Sequence, residues 1–421
     1  MPADFKQNLE KYAEVIVRVG LNLQPGQRLL IGPPFHGILG VPIELAPLVR
    51  HIAAKSYEAG ARLVEVIWGD DQLRLIRFQN APRDSFESFP GWRADAALDI
   101  ACNGDAVLNF LTEDPNLLLE QDLSSLSAYR KTCMTHMKPF EDLRAKNAMN
   151  WTVVTAPVDG WTASVFPDLP RRSGKAKLWD TLFDVCRIKE DDPVYAWKSH
   201  VAGLQARSDR LNQEAYSALE LKAPGTHLRV GLPRGHIWKC ARMTTQKGTE
   251  CTANIPTEEV FTIPHKDRTE GVVTTTRPLS LEGVLIEDVT LTFSAGQVID
   301  ATARRGQRRL LRLLDTDEGI KRLGEVALVP HSTPISGTGL IFHNILIDEN
   351  ASNHIALGRA FRFNLRGGEA MSDDEFAEAG GNDSLAHIDC MIGSDEMDVD
   401  GLKEDGAAVP IMRDGEWAFD V

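Results

Sequence analysis

From Leu9 to Ala156 the apolar residues switch between helical spacing and short continuous runs, and this alternation constrains the fold more than any other feature of the chain. Leu9, Tyr12, Val15, Ile16 and Val19 recur at helical spacing, after which Gln24-Pro-Gly-Gln27 turns the chain into a strand-like run at 28–32. A second helical pattern over residues 43–59 is stopped by Gly60 and leads into a strand-like run at 61–68. Further strands are predicted at 106–111 and 151–156, each followed by a helical stretch. Short apolar runs separated by helices predict a mainly parallel sheet with helices on its faces, an α/β N-terminal domain.

A chain of 421 residues exceeds what one hydrophobic core ordinarily serves. A long charged helical pattern over 196–221 ends at Ala223-Pro-Gly225, and beyond it strand-like segments crowd together at 228–232, 272–276, 284–293 and 298–303. The change of texture predicts a boundary there, with the α/β domain over residues 1–222 and an α+β C-terminal domain over 223–421. No G-x-G-x-x-G follows a strand, and Arg172-Ser-Gly-Lys175 has Leu169 where a phosphate loop requires glycine, so nucleotide binding has no support.

Charge narrows the partners. Lys and Arg total 46 against 60 Asp and Glu, a net of −14, which argues against nucleic acid or an anionic membrane surface. The acidity belongs to one end: residues 371–421 hold fifteen acidic side chains and two basic ones. Asp395, Glu396, Asp398 and Asp400 lack the rest of a calcium loop, and a solvated face is the simplest reading; on the rim of a site they would draw in cations. Six cysteines without a C-x-x-C pair, no signal-peptide core and no apolar run long enough to span a bilayer predict a cytoplasmic protein.

The candidate chemistry lies in the second half. His387-Ile-Asp389 sits in an apolar run at 385–392 that reads as a buried strand, where residues two apart share a face and an imidazole would emerge beside a carboxylate. Such a pair serves as a structural hydrogen bond or, given partners, as metal ligands. His265-Lys-Asp267 has the same spacing in a charged stretch after Pro264 and reads as a solvated loop. His354 lies in a segment, 349–358, whose polar start and terminal glycine predict one or two helical turns. Glu259 and Glu325 each stand just before an apolar strand, a place where glutamate is ordinarily solvated or paired. As a set, three carboxylates and two imidazoles without a thiolate make the donor inventory of a dinuclear hydrolytic site. Two divalent ions and a bridging hydroxide would neutralise it, as a low-dielectric pocket requires.

Four segments, Ala253 to Phe261, Leu323 to Pro330, Asp348 to His354 and Asn382 to Asp389, resemble in order and spacing the motifs of the aminopeptidase T family, which includes aminopeptidase S. Gly20 to Gln27 and Gly231 to Trp238 are similar to family segments too, so the likeness spans nearly the whole chain. The resemblance implies that Glu259, Glu325, His354, His387 and Asp389 hold two divalent ions (zinc, cobalt or manganese). It further implies a C-terminal catalytic domain, a homodimer enclosing a cavity, and hydrolysis of the N-terminal residue from short peptides. Glu259 or Glu325 would shuttle the proton, and the neighbouring Glu258 is expected to be solvated. One position departs: the family usually carries a tyrosine seven residues after the histidine, where this chain has Phe361. A phenol there would donate to a developing oxyanion, a contribution of about 2.7–4 kcal/mol for a single donor. Its absence leaves open a weaker enzyme, another donor such as an arginine or water, or a shifted reaction. The rival reading takes His354, His387 and Asp389 as ligands of one ferrous iron, as in a distantly similar group of ring-cleaving dihydroxypyridine dioxygenases. That site has no use for Glu259 and Glu325. A catalytically silent binding protein stands third.

Overall fold

The computed structural model describes residues 4–35, 37–281 and 284–421. The runs predicted in the first half form strands Arg28–Ile31, Leu63–Val66, Ala106–Phe110 and Trp151–Val154, all parallel. The short strand Asn254–Ile255 joins beside Trp151–Val154, completing a five-stranded sheet. Its innermost strand, Ala106–Phe110, is buried throughout, as a strand covered by helices on both faces must be. Arg28–Ile31 lies between Leu63–Val66, the next strand of this sheet along the chain, and Ala106–Phe110. Such a reversal of strand order opens a crevice at the carboxyl ends, where α/β sheets bind their ligands.

The helix expected over 196–221 is Pro193–Glu214, stopped by Ala215 in a left-handed conformation (φ 47°). Residues beyond it follow a period of two: Ala218–Ala223 is a strand, paired antiparallel with Thr226–Gly231 through a hairpin turn at Pro224-Gly225. Both belong to a nine-stranded sheet that also receives Asp398–Leu402 from the end of the chain. The second half is thus mixed strand and helix, in agreement with an α+β texture.

A separate five-stranded antiparallel sheet carries the predicted site segments, in the order His387–Met391, His354–Gly358, Leu323–Leu328, Val260–Thr262, Lys239–Cys240. The connection from Ile255 in the parallel sheet to Val260 in this one is four residues long, which ties the two halves together directly beside Glu259. One apolar core continues across both halves, from Leu9 to Met412. All six cysteines are free and five are buried. No described helix is long and apolar enough to cross a membrane.

Candidate metal centre

Register in the antiparallel sheet gathers the predicted residues on one face. Glu325 stands opposite Ala356, and Ala356 stands opposite Asp389, so two carboxylates flank a single methyl group. His354 precedes Ala356 by two positions and His387 precedes Asp389 by two, which puts both rings on that same face. Glu259 enters from the other side, immediately before Val260–Thr262. His354 therefore begins a strand; the short helical turn expected around it ends earlier, at Ala351, because Ile355 and Leu357 alternate across a fully buried sheet.

The resulting distances are short. His354 Nε2 lies 3.1 Å from Glu259 Oε2 and 3.6 Å from Glu325 Oε1, and His387 Nε2 lies 3.7 Å from Glu325 Oε2 and 3.2 Å from Asp389 Oδ1. The two oxygens of Glu325 thus face different imidazoles. Two donor groups share it, Glu259–Glu325–His354 and Glu325–His387–Asp389, each with its donor atoms within 4.8 Å of one another. Both rings are oriented from behind: Nδ1 of His354 meets the Ser352 carbonyl at 3.2 Å and Nδ1 of His387 meets the Arg359 carbonyl at 2.7 Å. A carbonyl only accepts, so each Nδ1 carries the hydrogen and each Nε2 is turned to the cluster.

Sequence reasoning missed a fourth carboxylate. Glu349, in the turn Glu349–Ala351, is buried at the same cavity and accepts from Asn254 Nδ2 at 3.1 Å and Asn350 Nδ2 at 3.2 Å. Its signal was a polar Asp348-Glu-Asn350 inside the otherwise apolar stretch 345–351, read as the polar start of a helix. Glu258, in turn, is not solvated. Adjacent residues in extended chain point to opposite sides, so it turns away from the cluster and is buried against the first half. There Arg187 grips it with both guanidinium arms, at 2.7 and 3.0 Å, and His200 Nε2 lies 3.5 Å away.

Four buried carboxylates face two imidazoles, and the acid–base properties follow. Burial pushes the Glu325 carboxyl up to about 6, against the opposing pull of the His354 hydrogen bond. Glu349 is driven well above the ordinary range by burial and by Asp389 and Glu259. Burial alone would lower both imidazoles, but their carboxylate neighbours prevail: His387 is raised to about 9 and His354 well above its usual value. Without cations, the cluster holds protons in their place. A surplus of buried negative charge and an all-nitrogen-and-oxygen donor set fit divalent zinc, cobalt or manganese.

The crevice of the parallel sheet completes the cavity. Phe35 and Leu111, beyond the carboxyl ends of Arg28–Ile31 and Ala106–Phe110, line it with Trp151, Leu346, Phe261 and Phe363. Phe361 stacks on Phe363 (ring centroids 5.0 Å, interplanar 11°) and stands 5.0 Å from the His387 ring. Of the acidic residues after Met371, Asp389 lines this cavity, while Asp400 pairs with Arg413 on the nine-stranded sheet.

Similarity to known proteins runs the length of the chain. The sequence model of the family described as Thermophilic metalloprotease (M29) matches residues 5–417. Aminopeptidase 2 of Geobacillus stearothermophilus is 42% identical over 417 residues, covering 99% of both chains. Aminopeptidase T of Thermus thermophilus is 43% identical over 413, covering 98% of this chain and 99% of its own. The solved structure of wild-type AmpT from Thermus thermophilus superposes with a TM-score of 0.89 at 42% identity, over 99% of this chain and 100% of that one. A 2,5-dihydroxypyridine dioxygenase from Pseudomonas putida also matches, with a TM-score of 0.52 over 99% of this chain and 98% of its own; at 11% identity the likeness is one of fold alone.

Proposed function

The chain belongs to the thermophilic metalloprotease family and is a metal-dependent aminopeptidase, and from that premise we propose that Glu259, Glu325, His354, His387 and Asp389 hold two divalent ions, with Glu325 shared between them. The observation that carries this reading is the placement of the two Glu325 oxygens against different imidazoles. Zinc, cobalt or manganese bound there would activate a water and polarise the scissile carbonyl. The chain's own groups do the rest. The Ser352 and Arg359 carbonyls keep both rings in one tautomer, and the surplus of carboxylates attracts the α-ammonium of a peptide. Glu259 and Glu325 are occupied as ligands in this scheme, which leaves Glu349 to take a proton from the attacking water and pass it to the leaving amine. Phe361 donates nothing to the oxyanion.

The same reading takes residues 1–222 as the α/β domain and 223–421 as the catalytic one, with Asn254–Ile255 lent back to the first sheet and residues 218–222 lent forward to the nine-stranded one. It also takes short peptides as substrates, a homodimer as the working form and the cytoplasm as its location. A mononuclear iron site would leave Glu259, Glu325 and Glu349 as buried carboxylates without a task. Metal analysis of protein purified without added metal, followed by leucine p-nitroanilide hydrolysis with and without chelator, tests the assignment. Two ions per chain with chelator-sensitive release support it; one iron and no release would overturn it.

A further inference from the structure

Two arginines face the same cavity as the carboxylate cluster. Arg144, in the last turn of the helix Leu123–Ala145, lies between Phe35 and Trp151, 4.8 Å from each ring centroid, and its Nε donates to Glu141 at 2.8 Å. Arg359 comes from the other half of the chain, directly after the His354 strand. Its Nε donates to the Ser384 carbonyl at 2.9 Å and its Nη2 reaches the Leu385 carbonyl at 3.4 Å, which hold the guanidinium in place. Its Nη1 has no acceptor within hydrogen-bonding distance among the described residues: Glu141 stands 3.9 Å away, already engaged by Arg144. Asp383 lies 4.0 Å from Nε and is half exposed.

Arg359 is only 9% exposed, and a guanidinium withdrawn from water to that degree is costly unless its N–H groups find acceptors. Arg144 neutralises Glu141, so the trio keeps one net positive charge on the cavity wall. The Arg359 carbonyl is the acceptor for His387 Nδ1, so the residue that carries this charge is tied through its backbone to one of the proposed ligands, and both line the same cavity. The cavity is therefore acidic on its sheet face and cationic on the adjoining wall. A ligand complementary to both carries an ammonium at one end and a carboxylate a short distance on.

We propose that Arg359, backed by the Arg144–Glu141 pair, is a subsite for the free C-terminal carboxylate of the substrate, so that dipeptides are the preferred class. The proposal rests on the aminopeptidase reading and adds to it what lies beyond the scissile bond. A planar guanidinium suits a carboxylate because it can offer two parallel N–H donors.

Steady-state kinetics of the metal-loaded enzyme on Leu-Gly, Leu-Gly amide, Leu-Asp amide and leucine p-nitroanilide tests it. Wild-type kcat/KM should favour Leu-Gly over Leu-Gly amide by about tenfold or more, the scale of one charged hydrogen-bonded contact. Arg359→Gln should bring that ratio close to one, chiefly through KM for Leu-Gly, and Arg359→Lys should restore part of it. A wild-type ratio near one overturns the proposal whether or not the variants fold. So does an equal fall of kcat on every substrate in Arg359→Gln, which would place the arginine at the reacting centre. Leu-Asp amide cleaved as well as Leu-Gly would assign the subsite to a side-chain carboxylate and overturn the C-terminal one. Failure of wild type on leucine p-nitroanilide would overturn the aminopeptidase reading itself, and this proposal with it.

Discussion

Phe361 is a single missing oxygen with a calculable consequence. The ring is held by Phe363 and faces His387, so a tyrosine at this position would carry its hydroxyl on an already ordered ring. One oxyanion donor contributes about 2.7–4 kcal/mol, and Phe361→Tyr should raise kcat/KM on aminoacyl anilides by up to about 10²–10³-fold, mostly in kcat. A flat response would show that the hydroxyl is not limiting. His387 gives a second prediction. Its pKa is raised to about 9 in the metal-free fold, above the value of about 6.5 for an unperturbed imidazole. The stability that it contributes is therefore complete below about 6.5 and is lost as pH rises through about 9. Metal binding needs the neutral ring, so between those limits loading must expel a proton and tighten as pH increases. Manganese titrations of metal-free protein at neutral pH, in two buffers of different ionisation enthalpy, should show proton release; its absence would count against His387 as a ligand.

Elements explain why the centre is rigid. The extended segment before Val260–Thr262 sends Glu259 to one side and Glu258 to the other, and the second contact anchors the first. Arg187 holds Glu258 in a buried fork, while the Glu258 amide donates to Asn350 Oδ1 at 2.7 Å, beside Glu349. Arg187→Met would strip a buried carboxylate of its guanidinium partner and leave only His200 beside it, at a cost of up to about 3–5 kcal/mol. Calorimetry should show that loss, adding Glu258→Gln should recover much of it, and manganese affinity should fall in the single variant as Glu259 loses its anchor. Retained stability in Arg187→Met would mean that this ion pair carries no load. Element type was legible wherever burial set a period: the four parallel strands lie within their apolar runs, and the run 385–392 is the strand His387–Met391. It was not legible at His354 or at 218–223, because a few apolar residues after a helical turn fit either period until the paired strand is known.

For the whole molecule, the homodimer is the assembly to test. Leu63–Val66 is an edge strand whose Val64 N–H is taken by the Tyr57 hydroxyl at 3.2 Å, and with the helix Gly91–Cys102 it frames a groove lined by Leu63, Trp68 and Trp92, the last 58% exposed. Apolar surface of this kind next to a sheet edge is ordinarily covered in an assembly. Light scattering after gel filtration should give two chains per particle, and Trp68→Glu with Trp92→Glu should yield monomer; a dimer indifferent to both changes would place the interface elsewhere. By itself the sequence determined the alternation that builds the parallel sheet and the five residue types at Glu259, Glu325, His354, His387 and Asp389, because period and donor chemistry are local properties of a chain. Only the tertiary structure decided that the two oxygens of Glu325 face different imidazoles, that Glu349 lines the same cavity, that Glu258 is buried and that Arg359 lines the cavity too. Each depends on strand register or on a partner more than twenty residues away, and neither is encoded in any one segment.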